Sequence, residues 1–231
     1  MIEVAVTGAH GRMGHLIVEA VNQDSDTHLC AALSRSLNNQ LHEAHSPIDV
    51  VIDFTVPEAT LRHLKICKER GIRMVIGTTG FTQEQQKEIA EAAKTIPIVF
   101  APNMSIGVNL SFKLLEVAAA ILRGQADVAI FDLHHKHKKD APSGTALKMA
   151  EIIKKASCNE SLRLEVSSAR AGEVVGEHSA IFALEGERLE IIHRAMDRSL
   201  FATGAVQAAK WLIAQDAGLY DMHDVLGLRA L

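Results

Sequence analysis

A chain of 231 residues holds one large domain or two small ones, and 48% hydrophobic with 23% charged residues is the mix of an ordinary globule. A net charge of −4 and 4% aromatics argue against a nucleic-acid partner, which calls for a basic domain and stacking platforms. No apolar run approaches a membrane span, the chain opens as a strand and turn rather than a leader, and Cys30, Cys67 and Cys158 form no CxxC. These features predict three buried thiols in a reducing, cytoplasmic compartment, with no membrane association.

Residues 2–8 read as a buried strand. Met13, Leu16, Ile17, Ala20 and Val21 then repeat at helical spacing. Strands follow at 28–33, 47–54, 73–80 and 97–103. Helices lie between them at 57–71, bracketed by Pro57 and Gly71, and at 82–95, where Thr82 and Gln85 have capping-box spacing. Strands alternating with helices imply a parallel sheet covered on both faces. After about residue 105 the pattern changes: a long helix at 106–124, a strand at 127–135 and a helix at 144–156. Three strand-like runs come next, at 162–172, 174–186 and 187–197, whose short connections predict antiparallel pairing and an α+β second half. A helix at 199–215 precedes the tail.

The loop "VTGAHGRMG" carries Gly8, Gly11 and Gly14 between the first strand and the first helix. Glycine there permits a tight turn and close approach of backbone to a pyrophosphate, and the helix N-terminus offers N–H groups and a positive dipole end. About twenty residues further on, where a carboxylate would bind the ribose of NAD, stand Ser34 and Arg35. A hydroxyl beside a guanidinium suits a 2′-phosphate, which predicts a preference for NADPH and leaves NADH use open. The loops "GTTG" and "APNMS" end two more strands of the same sheet, where ligands of such sheets sit.

"DLHHKHKKDAPSGTA" packs His134, His135, Lys136, His137, Lys138 and Lys139 ahead of a helix start. In an extended chain His135 and His137 share one face and His134, Lys136 and Lys138 the other, so the imidazoles are split and crowded by lysines, and no metal is expected. A small anionic substrate fits better. Ser143 caps the helix, Gly144 and Thr145 offer N–H groups and a hydroxyl to one carboxylate, and the basic run holds a second while keeping a proton donor. Clustered cations weaken one another's hold on a proton, which favours acid catalysis near neutrality.

"VTGAHGRMG", "VVIDFT", "GTTGFT", "APNMSIGVNL", "HHKHKKDAPSGTA", "VVGEH" and "GAVQAAKWL" together resemble the dihydrodipicolinate reductase family, also called 4-hydroxy-tetrahydrodipicolinate reductases, of bacterial lysine and diaminopimelate synthesis. The resemblance implies an α/β fold with an N-terminal Rossmann-type domain over 1–104, completed by 199–231. It implies a substrate-binding and tetramerisation domain over 105–198 with an open mixed sheet, and closure about two hinges. His134 would be the acid/base and Lys138 the proton donor, and His135, Ser143, Gly144 and Thr145 would bind substrate carboxylate. Gly8, Ala9, His10, Gly11, Arg12 and Met13 would cradle the pyrophosphate. Gly77, Thr78, Thr79, Ala101, Pro102, Asn103 and Met104 would line the nicotinamide side. The implied reaction is loss of water from a cyclic hydroxy-dicarboxylate, hydride transfer to the conjugated imine and protonation of the enamine, in a homotetramer. Many members carry Glu-Arg where this chain has Ser34-Arg35, and residues 36–46 are short for the family. The rival readings are another Rossmann reductase of a small acidic substrate and a non-catalytic NADPH sensor. A semialdehyde dehydrogenase is disfavoured because no cysteine sits in a strand-end loop.

Overall fold

The computed structural model describes residues 1–34, 41 and 47–231. They form two compact units, Met1–Ile106 with Ser199–Leu231, and Gly107–Arg198.

The first unit is built on strands β1 (Ile2–Thr7), β2 (Thr27–Leu33), β3 (Val50–Asp53), β4 (Arg73–Ile76), β5 (Pro97–Phe100) and β10 (Gly218–Tyr220), all parallel, in the order β10-β5-β4-β3-β1-β2. Successive residues alternate between two cores. Val4, Val6, Val50 and Ile52 pack beneath helices α1 (Arg12–Gln23) and α6 (Ser199–Leu212). Ala5, Val51, Met74 and Ile98 pack beneath α2 (Pro57–Arg70) and α3 (Gln83–Ala92). Burial on both faces is why these strands read as unbroken apolar runs. α2 ends at Gly71 in the left-handed conformation, and α3 opens with the Thr82–Gln85 capping box the spacing predicts. A Cβ on Gly204 of α6 would lie 1.8 Å from the Met104 carbonyl oxygen, so the helix packs against that loop with no room for a side chain.

In the second unit helices α4 (Ile106–Leu122) and α5 (Gly144–Ser157) cover one face of a four-stranded sheet ordered β7-β6-β8-β9, with β6 Asp127–His134, β7 Leu164–Arg170, β8 Gly176–Ala183 and β9 Arg188–Ala195. β8 and β9 form the expected antiparallel hairpin at Gly186, and β8 runs antiparallel to β6. β7 departs from expectation: it runs parallel to β6, because α5 lies between them in the chain and serves as the crossover. The other face of the sheet exposes Phe131 and Ile192.

The cysteines also depart from expectation. Cys67 is buried and its thiol is pushed up to about 12 by burial, whereas Cys30 is half-buried and Cys158 is exposed at the end of α5. No helix among the described residues is long and apolar enough to cross a membrane.

Candidate active site

β1 delivers the glycine loop. Gly8 adopts φ +70°, Gly11 N–H donates to the Gly8 carbonyl at 2.8 Å, and a Cβ on Gly14 would lie 2.0 Å from the Gly8 oxygen. The loop thus folds flat onto α1, whose N-cap, Gly11, has no side chain to cover the first turn. A helix end left open in this way suits an anion. Gly8, His10, Gly11, Ser34, Thr55 and Arg62 are among the residues lining a cavity of about 740 Å³. It lies beyond the carboxyl ends of β1, β2 and β3, where the strand order reverses, as in dinucleotide-binding sheets. Its size is that of a ligand pocket, roughly 300–1,000 Å³. None of the described residues lining it is a carboxylate, and three are arginine or histidine: His10, Arg62 and His63. The close-packed glycines, the open helix end and the absence of acid among the described lining residues fit a dinucleotide phosphate.

Thr7, Thr55 and His63 of this cavity share one buried carboxylate, Asp53, the last residue of β3. The hydroxyls of Thr7, Thr60, Thr55 and Thr78 donate to it at 2.6, 2.7, 2.8 and 2.9 Å, and His63 Nδ1 lies 2.6 Å away. Burial alone would raise the Asp53 carboxyl. The His63 contact and the threonine hydrogen bonds outweigh it and hold the group below the usual carboxylate range.

In the second unit the polar side chains form a row straight across the sheet. Register pairs Ser168 of β7 with Asp132 of β6, Asp132 with His178 of β8, and His178 with His193 of β9. Asp132 and His134 share the inward face with Val128 and Ile130. Asp132 is fully buried. Its Oδ2 accepts from the Ser143 backbone N–H at 2.9 Å, from the Ser168 hydroxyl at 3.1 Å and from Arg170 Nη2 at 3.1 Å. Its Oδ1 lies 2.8 Å from His134 Nδ1 and 3.4 Å from His178 Nε2, both out of line for a hydrogen bond. The bonds from Ser143 and Arg170 overcome the cost of burial and keep Asp132 below the ordinary carboxylate range. Burial lowers His134, and Lys138 and Arg170 add to that against the pull of Asp132. Burial, followed by His134, drives His178 down to about 4. At neutral pH the site therefore holds neutral imidazoles beside an ionised carboxylate. The three donor atoms of Asp132, His134 and His178 lie within 4.8 Å of one another, near enough for one small cation. Arg170 already neutralises the carboxylate, so a second cation there would meet repulsion.

The structure places the residues singled out in the sequence as follows. β6 ends at His134 and the chain turns, so the alternation assumed for His135 and His137 does not hold; their rings lie 6.3 Å apart. Lys138 is half-buried and ion-paired to Asp140 at 2.8 Å. The Ser143 hydroxyl caps Ala146 N–H at 3.2 Å and lies 3.1 Å from His178 Nε2, so it is committed to the protein rather than to a ligand. Gly144 and Thr145 do open helix α5, and His135 lies 3.5 Å from Arg198. The Thr78 hydroxyl turns inward to Asp53, Asn103 Oδ1 accepts from the Ser105 N–H, and Ala101 and Met104 are core residues. Gly77, Thr78, Thr79, Pro102 and Asn103 are not in the cavity lining, and neither are Ala9, Arg12 and Met13. Arg35 lies outside the described residues. Sequence reasoning missed Asp53, His63, Asp132, Arg170 and His178.

The family described as "Dihydrodipicolinate reductase, N-terminus" matches residues 2–104, and "Dihydrodipicolinate reductase, C-terminus" matches residues 107–226. Proteins named 4-hydroxy-tetrahydrodipicolinate reductase from Methylococcus capsulatus and Pseudomonas fluorescens Pf0-1 are 44% and 46% identical, covering 99% of this chain and 99% and 100% of theirs. Both alignments run over 267 positions, more than the 231 residues here, so these relatives carry residues with no counterpart in this chain. Among solved structures, a dipicolinate-bound dihydrodipicolinate reductase from Paenisporosarcina sp. TG-14 superposes with a TM-score of 0.82 at 26% identity, over 96% of this chain and 97% of that one. With family matches spanning both halves and relatives matched end to end, this chain belongs to the dihydrodipicolinate reductase family.

Proposed function

We propose that the second unit binds the cyclic hydroxy-dicarboxylate and that His134 and Lys138 handle its protons. The enzyme is an NAD(P)H-dependent 4-hydroxy-tetrahydrodipicolinate reductase of lysine and diaminopimelate biosynthesis. One observation carries the assignment of roles: a buried neutral imidazole, His134, lies against an ionised carboxylate, four residues from a half-buried lysine, in the segment that leads into the Ser143-capped N-terminus of helix α5. The N–H groups at Gly144 and Thr145, with His135, receive a substrate carboxylate. The Paenisporosarcina relative binds dipicolinate, a dicarboxylate whose charge this arrangement suits. Loss of water gives a conjugated imine, which the nicotinamide reduces by supplying hydride. A proton then passes to the enamine, with His134 and Lys138 as the carriers in reach.

In the first unit Gly8 to Met13 hold the pyrophosphate. NADPH is the preferred cofactor: no carboxylate stands among the described residues of the cavity to meet a ribose 2′-hydroxyl, while Ser34 and Arg62 line it. The loops at Gly77–Thr79 and Ala101–Met104 contribute backbone to the nicotinamide end. The uncovered sheet face bearing Phe131 and Ile192 supports homotetramer assembly, and the protein works in the cytoplasm. Steady-state oxidation of NADPH and NADH tests this reading, with substrate made in situ from pyruvate and aspartate semialdehyde. Faster turnover with NADPH is expected. Equal rates would discard the NADPH preference, and NADPH binding without turnover would favour a sensor.

A further inference from the structure

We propose that Asp132 is a positioning residue of the reduction: one carboxylate orients the His134 imidazole through Oδ1 and anchors the entrance of helix α5 through Oδ2. This rests on the proposed role of His134. A carboxylate on the apolar face of an interior strand is costly to bury and adds nothing that a valine there would not provide by packing. Its three Oδ2 partners come from three places, Ser143 before α5, and Ser168 and Arg170 on β7. Together they fix the rotation of the carboxylate and so fix where Oδ1 sits.

Oδ1 then stands 2.8 Å from His134 Nδ1. The contact is out of line for a hydrogen bond, but the negative charge beside Nδ1 favours the tautomer with the proton there over one that turns the Nδ1 lone pair toward the carboxylate, and leaves Nε2 as the exchanging nitrogen. The Nε2 edge of the ring runs along Gly176, where a Cβ would come within 3.0 Å. Arg170 also donates to the Asp140 carbonyl, and Asp140 holds Lys138. The same hub therefore reaches His134 directly and Lys138 through Arg170 and Asp140. The charged and titratable groups facing His134 are Asp132, Lys138, Arg170, Asp140 and His178.

Asp132→Asn in the full-length protein is the test. The amide keeps the shape, removes the negative charge and turns its N–H side toward Nδ1, which favours the other tautomer. The expected result is a fall in kcat of about a hundredfold or more with a much smaller change in KM, and an acid limb of the kcat profile moved to lower pH. The ¹⁵N resonances of the His134 ring should report the switch from Nδ1–H to Nε2–H without any turnover. Ser168→Ala removes one donor to Oδ2 and should move the same quantities less, which keeps the test alive if Asp132→Asn folds poorly. A merely structural role would lower the folded fraction but leave the acid limb and tautomer unmoved, and that result overturns the proposal. His134→Asn separates the two levels. If it turns over like wild type, the His134 reading fails and this inference with it. If it is inactive while Asp132→Asn is not, the inference alone fails.

Discussion

Asp53 and Asp132 are both completely buried carboxylates near the carboxyl ends of strands, one in each unit. Asp53 is surrounded by four threonine hydroxyls and one imidazole, each within 2.9 Å of a carboxylate oxygen. Asp132 is saturated at Oδ2 only, and its Oδ1 faces two imidazoles that are not aligned with it. Both oxygens of Asp53 are engaged by partners on β1, α2 and the loops after β3 and β4, so Asp53 works as a clamp. Oδ1 of Asp132 is left facing two unaligned imidazoles, so Asp132 holds shape and also biases a proton. The nucleotide cavity rests on the clamp, and the proposed proton chemistry rests on the other carboxylate.

If that division is right, Lys138→Ala has the largest effect and confines it to chemistry. Turnover should fall by about 10²–10⁴-fold, the range for losing a general acid, while NADPH affinity measured by calorimetry stays within about twofold of wild type. A parallel loss of cofactor affinity would break the division.

The clamp makes a stability prediction on the other side. Asp53→Ala removes the charged acceptor shared by the Thr7, Thr60 and Thr78 hydroxyls, leaving Thr7 and Thr60 longer bonds at 3.4 and 3.2 Å to the Ile52 and Val56 carbonyls, and should destabilise the first unit by about 3 kcal/mol. Trp211, the sole tryptophan, packs in that unit edge-on to Tyr220 with ring centroids 5.1 Å apart. Its fluorescence during urea unfolding reports the loss there. An unchanged midpoint would mean the clamp is slack.

His178 and the two carboxylates act in different pH windows. His178 binds its proton near 6.5 when unfolded and near 4 in the fold. The unfolded chain therefore holds more protons between those values, and stability falls as pH drops through them, by about 3 kcal/mol at the acid end. Asp53 and Asp132 are shifted in the same direction but lower on the scale: their native values lie below 3.8, so their contribution is present above that pH and is lost only as pH falls further. Calorimetric Tm from pH 7 to 4.5 should slope in wild type and flatten in His178→Asn. An equal slope in both would move the titration to another group, with His134 the next buried imidazole.

Much of this was written in the local pattern. The parallel strands, the glycine loop and the capped helices follow from periodicity and turn chemistry, which act within a few residues. Asp132 also left a signal, because strand parity puts it and His134 with Val128 and Ile130 on the core face of β6. His178 shares the buried parity of Ala180 and Phe182 on β8 in the same way. A charged residue at an apolar-parity position is a partner waiting for a contact. Which contact could not be read, because Arg170 reaches Asp132 only through the parallel β6–β7 pairing that α5 makes possible. The commitment of Thr78 and Ser143 to buried partners was equally hidden. Both are residues that loops use for ligands, and only the three-dimensional neighbours Asp53 and His178 decide otherwise.

The smallest expected effect tests the cofactor end of the comparison. Arg62 is exposed on the second turn of α2 and lines the cavity with Ser34. If it meets the 2′-phosphate, Arg62→Ala should weaken binding of NADPH and of 2′,5′-ADP by about tenfold, the size of one charge-assisted contact. NADH and 5′-AMP lack that phosphate and should shift by less than about twofold. An equal loss for all four would place the guanidinium on the adenine ring, where it stacks without reading the phosphate. No loss for NADPH would leave the selectivity to Ser34 and the residues after it. Because Arg62 is solvent-exposed and is not one of the groups bonded to Asp53, its removal should leave the Trp211 unfolding midpoint in place, so the binding change separates cofactor choice from the clamp beneath it.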